Sequence, residues 1–284
     1  MLNSEALKEA ENLLIKNKID SARLEAEILL AHVLNTNRIN LYLGLNKAPL
    51  TEEQVEDYRK LIQRRISHEP TAYIIGHKHF MNLDLIVNEN VLIPRPETEI
   101  LVESVIERIR DIEDKLRIVD IGTGSGAIGL TIAKYLPDVL VDMVDISDAA
   151  LEVARRNAEQ NGVIFQVNLY SGDMFAPVLD NKYNVIVSNP PYIPSKVIDT
   201  LQIEVQKYEP RLALDGGEDG LDFYRKLVND SPQLLLEGGL LAFEIGIDQA
   251  DDITKLIESS GQFINIEVIK DLADIDRVII ARKK

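Results

Sequence analysis

The sequence predicts an α/β protein, with a Rossmann-like open sheet preceded by a small helical bundle. Three observations carry this reading. A short run rich in β-branched residues at 116–121 is followed at once by Gly122-Thr123-Gly124-Ser125-Gly126 and then by a helical stretch at 127–135, giving the order strand, glycine loop, helix. Three more such runs follow at 139–144, 163–170 and 183–188, each leading to a polar ligand candidate. Residues 1–80, by contrast, repeat their apolar positions at helical spacing.

The elements follow in chain order. A helix over 4–16 places Leu7, Ala10, Leu13 and Leu14 on one face, and a second over 21–34 does the same with Leu24, Ile28 and Val33. Thr51-Glu52-Glu53-Gln54 has the spelling of a capping box and opens a third helix with Val55, Tyr58 and Ile62 inward. Arg64-Arg65 reads as the solvated face of that helix. Short alternating runs between 80 and 93 read as a hairpin. These features divide the chain into a helical domain at 1–78, a hairpin linker at 79–95 and a sheet domain at 96–284. Runs at 264–269 and 277–281 read as the last two strands.

Glycines between a strand and a helix let a nucleotide-like ligand approach the backbone near a helix N-terminus. Gly122, Gly124 and Ala127 also satisfy the dinucleotide-binding spelling. Asp120 tips the reading toward S-adenosylmethionine, whose ammonium group needs a carboxylate or carbonyl beside it. Asp145 ends the second strand just over twenty residues after the first glycine, which suits a pair of ribose hydroxyls. Asp142 competes for that role but falls inside the strand. After the third strand, Asp173 can accept from an adenine amino group and Met174 can cover the ring. Candidate ligands from four strands thus collect at the edge where open α/β sheets bind ligands.

The fourth strand ends in Asn189-Pro190-Pro191-Tyr192. Consecutive prolines fix φ, remove two backbone donors and leave their carbonyls free to accept. A side-chain amide and a proline carbonyl can then grip both hydrogens of a planar NH2 group, while the tyrosine ring stacks on its face. That arrangement suits methyl transfer to an amide or exocyclic amine nitrogen, a poor nucleophile because its lone pair is delocalised. Accepting both hydrogens in a bent geometry favours the pyramidal transition state, so Asn189, Pro190 and Tyr192 are the catalytic candidates. No strong base is required, because the nitrogen becomes far more acidic once methylated. No metal is required either.

Taken together these blocks resemble the release-factor glutamine methyltransferases (PrmC/HemK) over nearly the whole chain. The resemblance rests on Leu92-Ile93-Pro94-Arg95-Pro96-Glu97-Thr98-Glu99, the tetrapeptide at 189–192, Tyr208-Glu209-Pro210-Arg211-Leu212-Ala213-Leu214, Gly216-Gly217, Asp219-Gly220-Leu221-Asp222, and Phe243-Glu244-Ile245-Gly246 with Gln249. It implies a seven-stranded class I methyltransferase domain with an antiparallel last strand. It implies transfer from S-adenosylmethionine to the glutamine amide of the Gly-Gly-Gln motif in peptide-chain release factors. Gly122 to Gly126, Asp145, Met174 and Asn189 would contact the cofactor, and Asn189 through Tyr192 would hold the amide. Two positions depart from the pattern. Met174 stands where some relatives carry an aromatic, and Asp274 where the family usually has glycine in a turn. Aspartate tolerates left-handed backbone better than most residues, so the turn is expected to survive.

The chain has 284 residues and no cysteine, which excludes a disulfide framework and a thiolate zinc site. No stretch is apolar enough to span a bilayer, and the amphipathic, acidic start is unlike a signal peptide, so a cytoplasmic enzyme is expected. Nothing in the sequence asks for an oligomer. Residues 1–80 carry eleven acidic and eleven basic side chains, so the formal charge of −16 sits wholly on the remainder. So acidic a domain is badly suited to a phosphate backbone. This weighs against the nearest alternative, a nucleic-acid amine methyltransferase sharing the tetrapeptide. A non-catalytic scaffold on translation factors has no use for two acceptors aimed at a nitrogen. The bundle is expected to dock the protein substrate. His77 and His79 lack an evident third metal ligand and read as surface residues, while Arg95 between two prolines shapes the cofactor pocket or the domain junction.

Overall fold

The structure is a computed structural model that describes residues 1–43, 48–112 and 114–284. The chain forms two compact units, one of residues Met1–Gly76 with Gln202–Tyr208, the other of His77–Leu201 with Glu209–Lys284.

The smaller unit begins with α1 (Asn3–Lys16), α2 (Ala22–Val33), α3 (Arg38–Tyr42), α4 (Glu52–Ile66) and α5 (Thr71–Ile75). The capping box at the start of α4 is present, with Thr51 Oγ1 accepting from the Gln54 amide at 3.1 Å and Gln54 Oε1 from the Thr51 amide at 2.9 Å. α1 buries Leu7, Ala10 and Leu14, and α4 buries Tyr58 and Ile62, as their spacing predicts. α2 differs. It buries Ala22, Ala26, Leu29 and Leu30, while Leu24 lies exposed. Both faces of this helix are apolar, so periodicity alone does not choose between them. The Tyr58 hydroxyl donates to the Ala26 carbonyl at 2.9 Å, which pins α4 against the alanine face.

Arg64-Arg65 also departs from the expected solvated face. Arg64 stays at the surface with Glu69, but Arg65 is buried between Glu25 (3.2 Å) and Glu204 (2.5 Å). Glu204 belongs to a helix from far along the chain, so no local pattern could reveal the pairing.

The larger unit opens with the antiparallel hairpin β1 (His77–Phe80) and β2 (Leu83–Ile86). This hairpin, expected as a linker, buries Phe80, Leu83 and Leu85 in the core of this unit. There follow α6 (Thr98–Ile109), β3 (Arg117–Ile121), α7 (Ala127–Tyr135), β4 (Leu140–Asp145), α8 (Asp148–Gln160), β5 (Val167–Ser171) and β6 (Tyr183–Ser188). The third predicted strand is shorter than its apolar run because Ile164–Gln166 forms a 3-10 turn. The short α9 (Ser195–Ile198) and α10 (Ile203–Tyr208) come next, then α11 (Asp222–Leu234), β7 (Leu235–Glu244), α12 (Ala250–Ser260), β8 (Phe263–Lys270) and β9 (Asp276–Lys283). α10 is the segment that belongs to the smaller unit, where the Tyr208 hydroxyl donates to the Ser67 carbonyl at 2.7 Å.

Seven strands form one sheet in the order β5-β4-β3-β6-β7-β9-β8, parallel except for β9, which runs antiparallel to both neighbours. The inner strands are buried on both faces, which is why they read as near-continuous apolar runs. Alternate side chains feed two cores: Val185 and Val187 pack with α6 and α7, and Ile186 packs with α11 and α12. Strand order reverses between β3 and β6, which puts a crevice at their carboxyl ends. Asp274 has φ +62°, so the aspartate holds the left-handed turn before β9. Among the described residues no helix is long and apolar enough to cross a membrane.

Candidate active site

A cleft of about 190 Å³ lies at the carboxyl edge of β3, β4, β5 and β6. A wider groove of about 770 Å³ on the helical unit is walled by α4 with residues 1 and 50, and gathers none of the predicted site residues. The cleft gathers Gly122, Gly124, Asp145, Asp173, Met174, Asn189 and Pro191 from four separate loops. Of the other predicted residues, Asp120, Thr123, Ser125, Gly126 and Pro190 are buried and Tyr192 is half-buried, and none of them lines the cleft.

Asp120 is one of these. It is fully buried under the glycine loop, where its Oδ2 accepts from Thr123 Oγ1 at 2.6 Å and from the Gly129 amide at 3.0 Å. Its Oδ1 meets no hydrogen-bond partner among the described residues, and burial pushes the carboxyl up to about 6. Thr123 is thus a brace for Asp120 rather than part of the cleft wall. Ser125 is buried as well, and its carbonyl accepts from Asn157 Nδ2 at 2.8 Å. Asn157, on α8, also exchanges two hydrogen bonds with the backbone of Ile86 (2.6 and 3.0 Å), tying the hairpin to the loop.

The glycines divide in the same way. At Gly124 (φ +56°) an added Cβ meets nothing within 4 Å, so the loop is open where a ligand would lie. At Gly126 (φ +86°) it would come within 2.7 Å of Leu130 and 2.9 Å of Met143, so this glycine serves helix packing. A loop that turns from strand to helix presents successive residues to opposite sides, and the spelling alone does not say which side faces a ligand.

Asp145 ends β4 half-buried. Its two oxygens accept from the amides of Gly124 (2.8 Å) and Ser147 (2.9 Å), and burial raises its pKa. Asp142, its competitor, is fully buried among Arg117, Asn168 and Tyr183 and away from the cleft. Asp173 is exposed at the rim, and Met174 is half-buried with φ +51°. Arg95 pairs with Glu209 at 2.6 Å, next to Pro210 on the cleft wall.

The tetrapeptide is held from three directions. Asn189 Nδ2 donates to Thr98 Oγ1 at 3.1 Å, and Thr98 Oγ1 donates to Glu244 Oε2 at 2.5 Å. The Tyr192 hydroxyl donates to Glu244 Oε1 at 3.3 Å. Its ring packs at Gly246 rather than lining the cleft, so the expected stacking surface is tied back in this structure. Gln249 Nε2 donates to the Tyr192 carbonyl at 3.1 Å, and a Cβ at Gly216 would sit 2.8 Å from Tyr192 Cα. The glycine-rich segment at 216–220 is therefore a packing surface for the tetrapeptide backbone. Thr98, Asn157 and Glu244 were not singled out in the sequence as site residues. Thr98 and Glu244 lie within two of the quoted motif blocks, and that was their only signal.

A parallel sheet with an antiparallel strand inserted near its edge, a glycine loop after β3 and a cleft at the switch point define a class I methyltransferase fold. Residues 5–76 match the PrmC N-terminal domain and residues 96–207 the Methyltransferase small domain. A release factor glutamine methyltransferase of Geobacter sulfurreducens is 43% identical over 269 residues, covering 95% of this chain and 92% of that protein. One from Bacillus anthracis is 41% identical over 281 residues and covers 98% of each. The chain belongs to the release factor glutamine methyltransferase family. Among solved structures, a methyltransferase from Pyrococcus furiosus shares the fold, with TM-score 0.53 at 21% identity over 78% of this chain and 97% of that one.

Proposed function

We propose that this protein transfers a methyl group from S-adenosylmethionine to the side-chain amide nitrogen of the glutamine in the Gly-Gly-Gln motif of peptide-chain release factors. The observation that carries the reading is the state of Asn189. Its amide nitrogen is engaged by Thr98, which leaves Oδ1 as an acceptor at a cleft bounded by the glycine loop.

The residues present fit the cofactor. Gly122 and Gly124 leave open space beside the backbone, and the Asp145 carboxylate retains lone pairs for two ribose hydroxyls beyond the two amides it accepts. Met174 would cover the adenine and Asp173 would accept from its amino group. When bound, S-adenosylmethionine supplies the methyl group from a sulfonium and leaves as a thioether. Asn189 Oδ1 and the Pro190 carbonyl would each accept one hydrogen of the glutamine amide, and the fixed φ of the prolines keeps the pair aimed. The contribution is positioning and electrostatics, and the proton leaves after transfer. The helical unit is the docking module for the factor, and the reaction belongs in the cytoplasm, where translation factors work.

The test is methyl transfer from labelled S-adenosylmethionine to a purified release factor, beside its Gly-Gly-Gln→Gly-Gly-Ala version and a duplex DNA control. Label on the wild-type factor alone is expected. Label on DNA would move the reading to an amine methyltransferase, and no label despite cofactor binding would point to a scaffold.

A further inference from the structure

Asn189 can act only if its amide presents oxygen, not nitrogen, to the substrate. A primary amide is nearly symmetric in shape, so its neighbours must choose between the two ends. The two cleft-side choices are not equivalent here. A threonine hydroxyl has one proton and two lone pairs. Thr98 gives that proton to Glu244 Oε2 at 2.5 Å, so towards Asn189 its oxygen can only accept. An asparagine oxygen turned to Thr98 would set two acceptors face to face with no hydrogen between them.

We infer that Thr98 and Glu244 are positioning residues that lock the Asn189 amide with Oδ1 towards the reacting nitrogen, an inference that rests on the proposed amide methylation. Thr98 is the first residue of α6 and is buried, and Glu244 ends β7 and is 1% exposed, so neither touches the cleft directly. The groups facing Glu244 are Thr98, the hydroxyl of Tyr192, Arg277 at the start of β9, Glu97 just before α6, and Tyr224 of α11, whose hydroxyl donates to the Glu244 carbonyl at 3.0 Å. Hydrogen bonds from Thr98 and Tyr192 and the charge of Arg277 favour the carboxylate, while burial opposes it. The ionised form gives the chain one direction: Asn189 to Thr98 to Glu244, with Tyr192 donating from the other side. The same carboxylate thereby holds both ends of the tetrapeptide.

The test compares the full-length wild type with Thr98→Val and Thr98→Ser. Valine keeps the branched shape but can neither accept from Asn189 nor donate to Glu244, whereas serine keeps both functions. For Thr98→Val, kcat on the release factor should fall about a hundredfold, the scale of a misaligned catalytic group. KM for the factor and calorimetric Kd for S-adenosylmethionine should stay within about threefold, since Thr98 is buried and does not line the cleft. Thr98→Ser should recover kcat to within about threefold of wild type. Unchanged kcat in Thr98→Val would overturn the inference. So would equal losses in kcat, KM and Kd for both variants, which would mark a merely structural threonine. A second readout is hydrogen exchange of the Asn189 side-chain amide, followed by nuclear magnetic resonance with labelled asparagine. Protection present in wild type and lost in Thr98→Val is expected, and identical exchange in both would overturn the lock. If the wild type labels no release factor, the functional reading fails on its own, and the exchange measurement still decides the lock.

Discussion

Two alanine substitutions, two residues apart in the chain but opposite in setting, test the division of the glycine loop. Gly124 and Gly126 both have positive φ, so an alanine at either costs about 1–2 kcal/mol of backbone strain. Beyond that they part. A Cβ at Gly124 enters open space, whereas one at Gly126 meets Leu130 and Met143 inside 3.0 Å, and both of those side chains are fully buried. Forcing a methyl into a packed core costs a further ~1–3 kcal/mol. Gly126→Ala should therefore lose about 2–5 kcal/mol of stability against about 1–2 for Gly124→Ala. Cofactor affinity should move the other way. The Gly124 methyl fills space on the cleft side and should weaken S-adenosylmethionine binding at least about tenfold, or ~1.4 kcal/mol. Gly126→Ala should leave the affinity of the folded fraction within about threefold. Urea unfolding and calorimetric titration read the two quantities separately. If Gly124→Ala proved the less stable variant while binding cofactor normally, the assignment of one glycine to the cleft and the other to the core would be wrong.

Three further outcomes follow from the same geometry. Asn189→Ala should lower kcat at least about a hundredfold, as loss of an oriented polar group in a site does, with little change in melting temperature; near-normal turnover would refute its role in holding the amide. Asp120 titrates in the fold at about 6 rather than its ordinary 3.8, so the protonated form favours folding. Its contribution is therefore full below pH 3.8 and lost as pH rises through 6, a difference of about 3 kcal/mol. The stability of Asp120→Asn relative to wild type should grow by about 2.4 kcal/mol between pH 4 and pH 7, and a flat difference would refute the desolvation argument. Arg65→Met should cost about 1–3 kcal/mol, less than a fully buried pair because the Glu204 side chain is 31% exposed. Trypsin should then cut faster at Lys207, in the segment Arg65 retains, and unchanged cleavage would show that the ion pair does not hold it.

What the sequence made legible was local. The helix Ala127–Tyr135 and the strand Tyr183–Ser188 are found where their residues predicted them, because a strong period and a clear stop determine both. The capping box at Thr51 is a contact between residues three apart, so it too could be read directly. What stayed hidden depends on partners distant in the chain. Glu204 lies 139 residues from Arg65, and Glu244 lies 146 from Thr98. β7 was visible only as a motif at its end, since Glu237-Gly238-Gly239 interrupts its apolar run. Within the site, the spelling marked the glycine loop and the strand ends that reach the cleft, whereas Asp120, Thr123, Ser125 and Gly126 are buried and do not line it. A motif records which residues a site needs, and does not separate those that meet a ligand from those that hold the ones that do.

Glu244 sharpens the mechanism by what it does not do. A buried carboxylate two hydrogen bonds from the Asn189 amide has the look of a general base, and burial raises its pKa in the direction a base requires. Its connections argue otherwise. One oxygen is taken by Thr98 at 2.5 Å and the other by Tyr192 at 3.3 Å, so both already accept from groups that hold the tetrapeptide in place. To take a proton from the substrate it would have to work through Thr98, whose oxygen faces the amide nitrogen of Asn189 rather than the cleft. An amide nitrogen that has gained a methyl group is acidic enough to lose its proton to water. The carboxylate is thus better explained as the anchor that turns Asn189 outward, and the catalytic advantage of the site as the fixed aim of its acceptors.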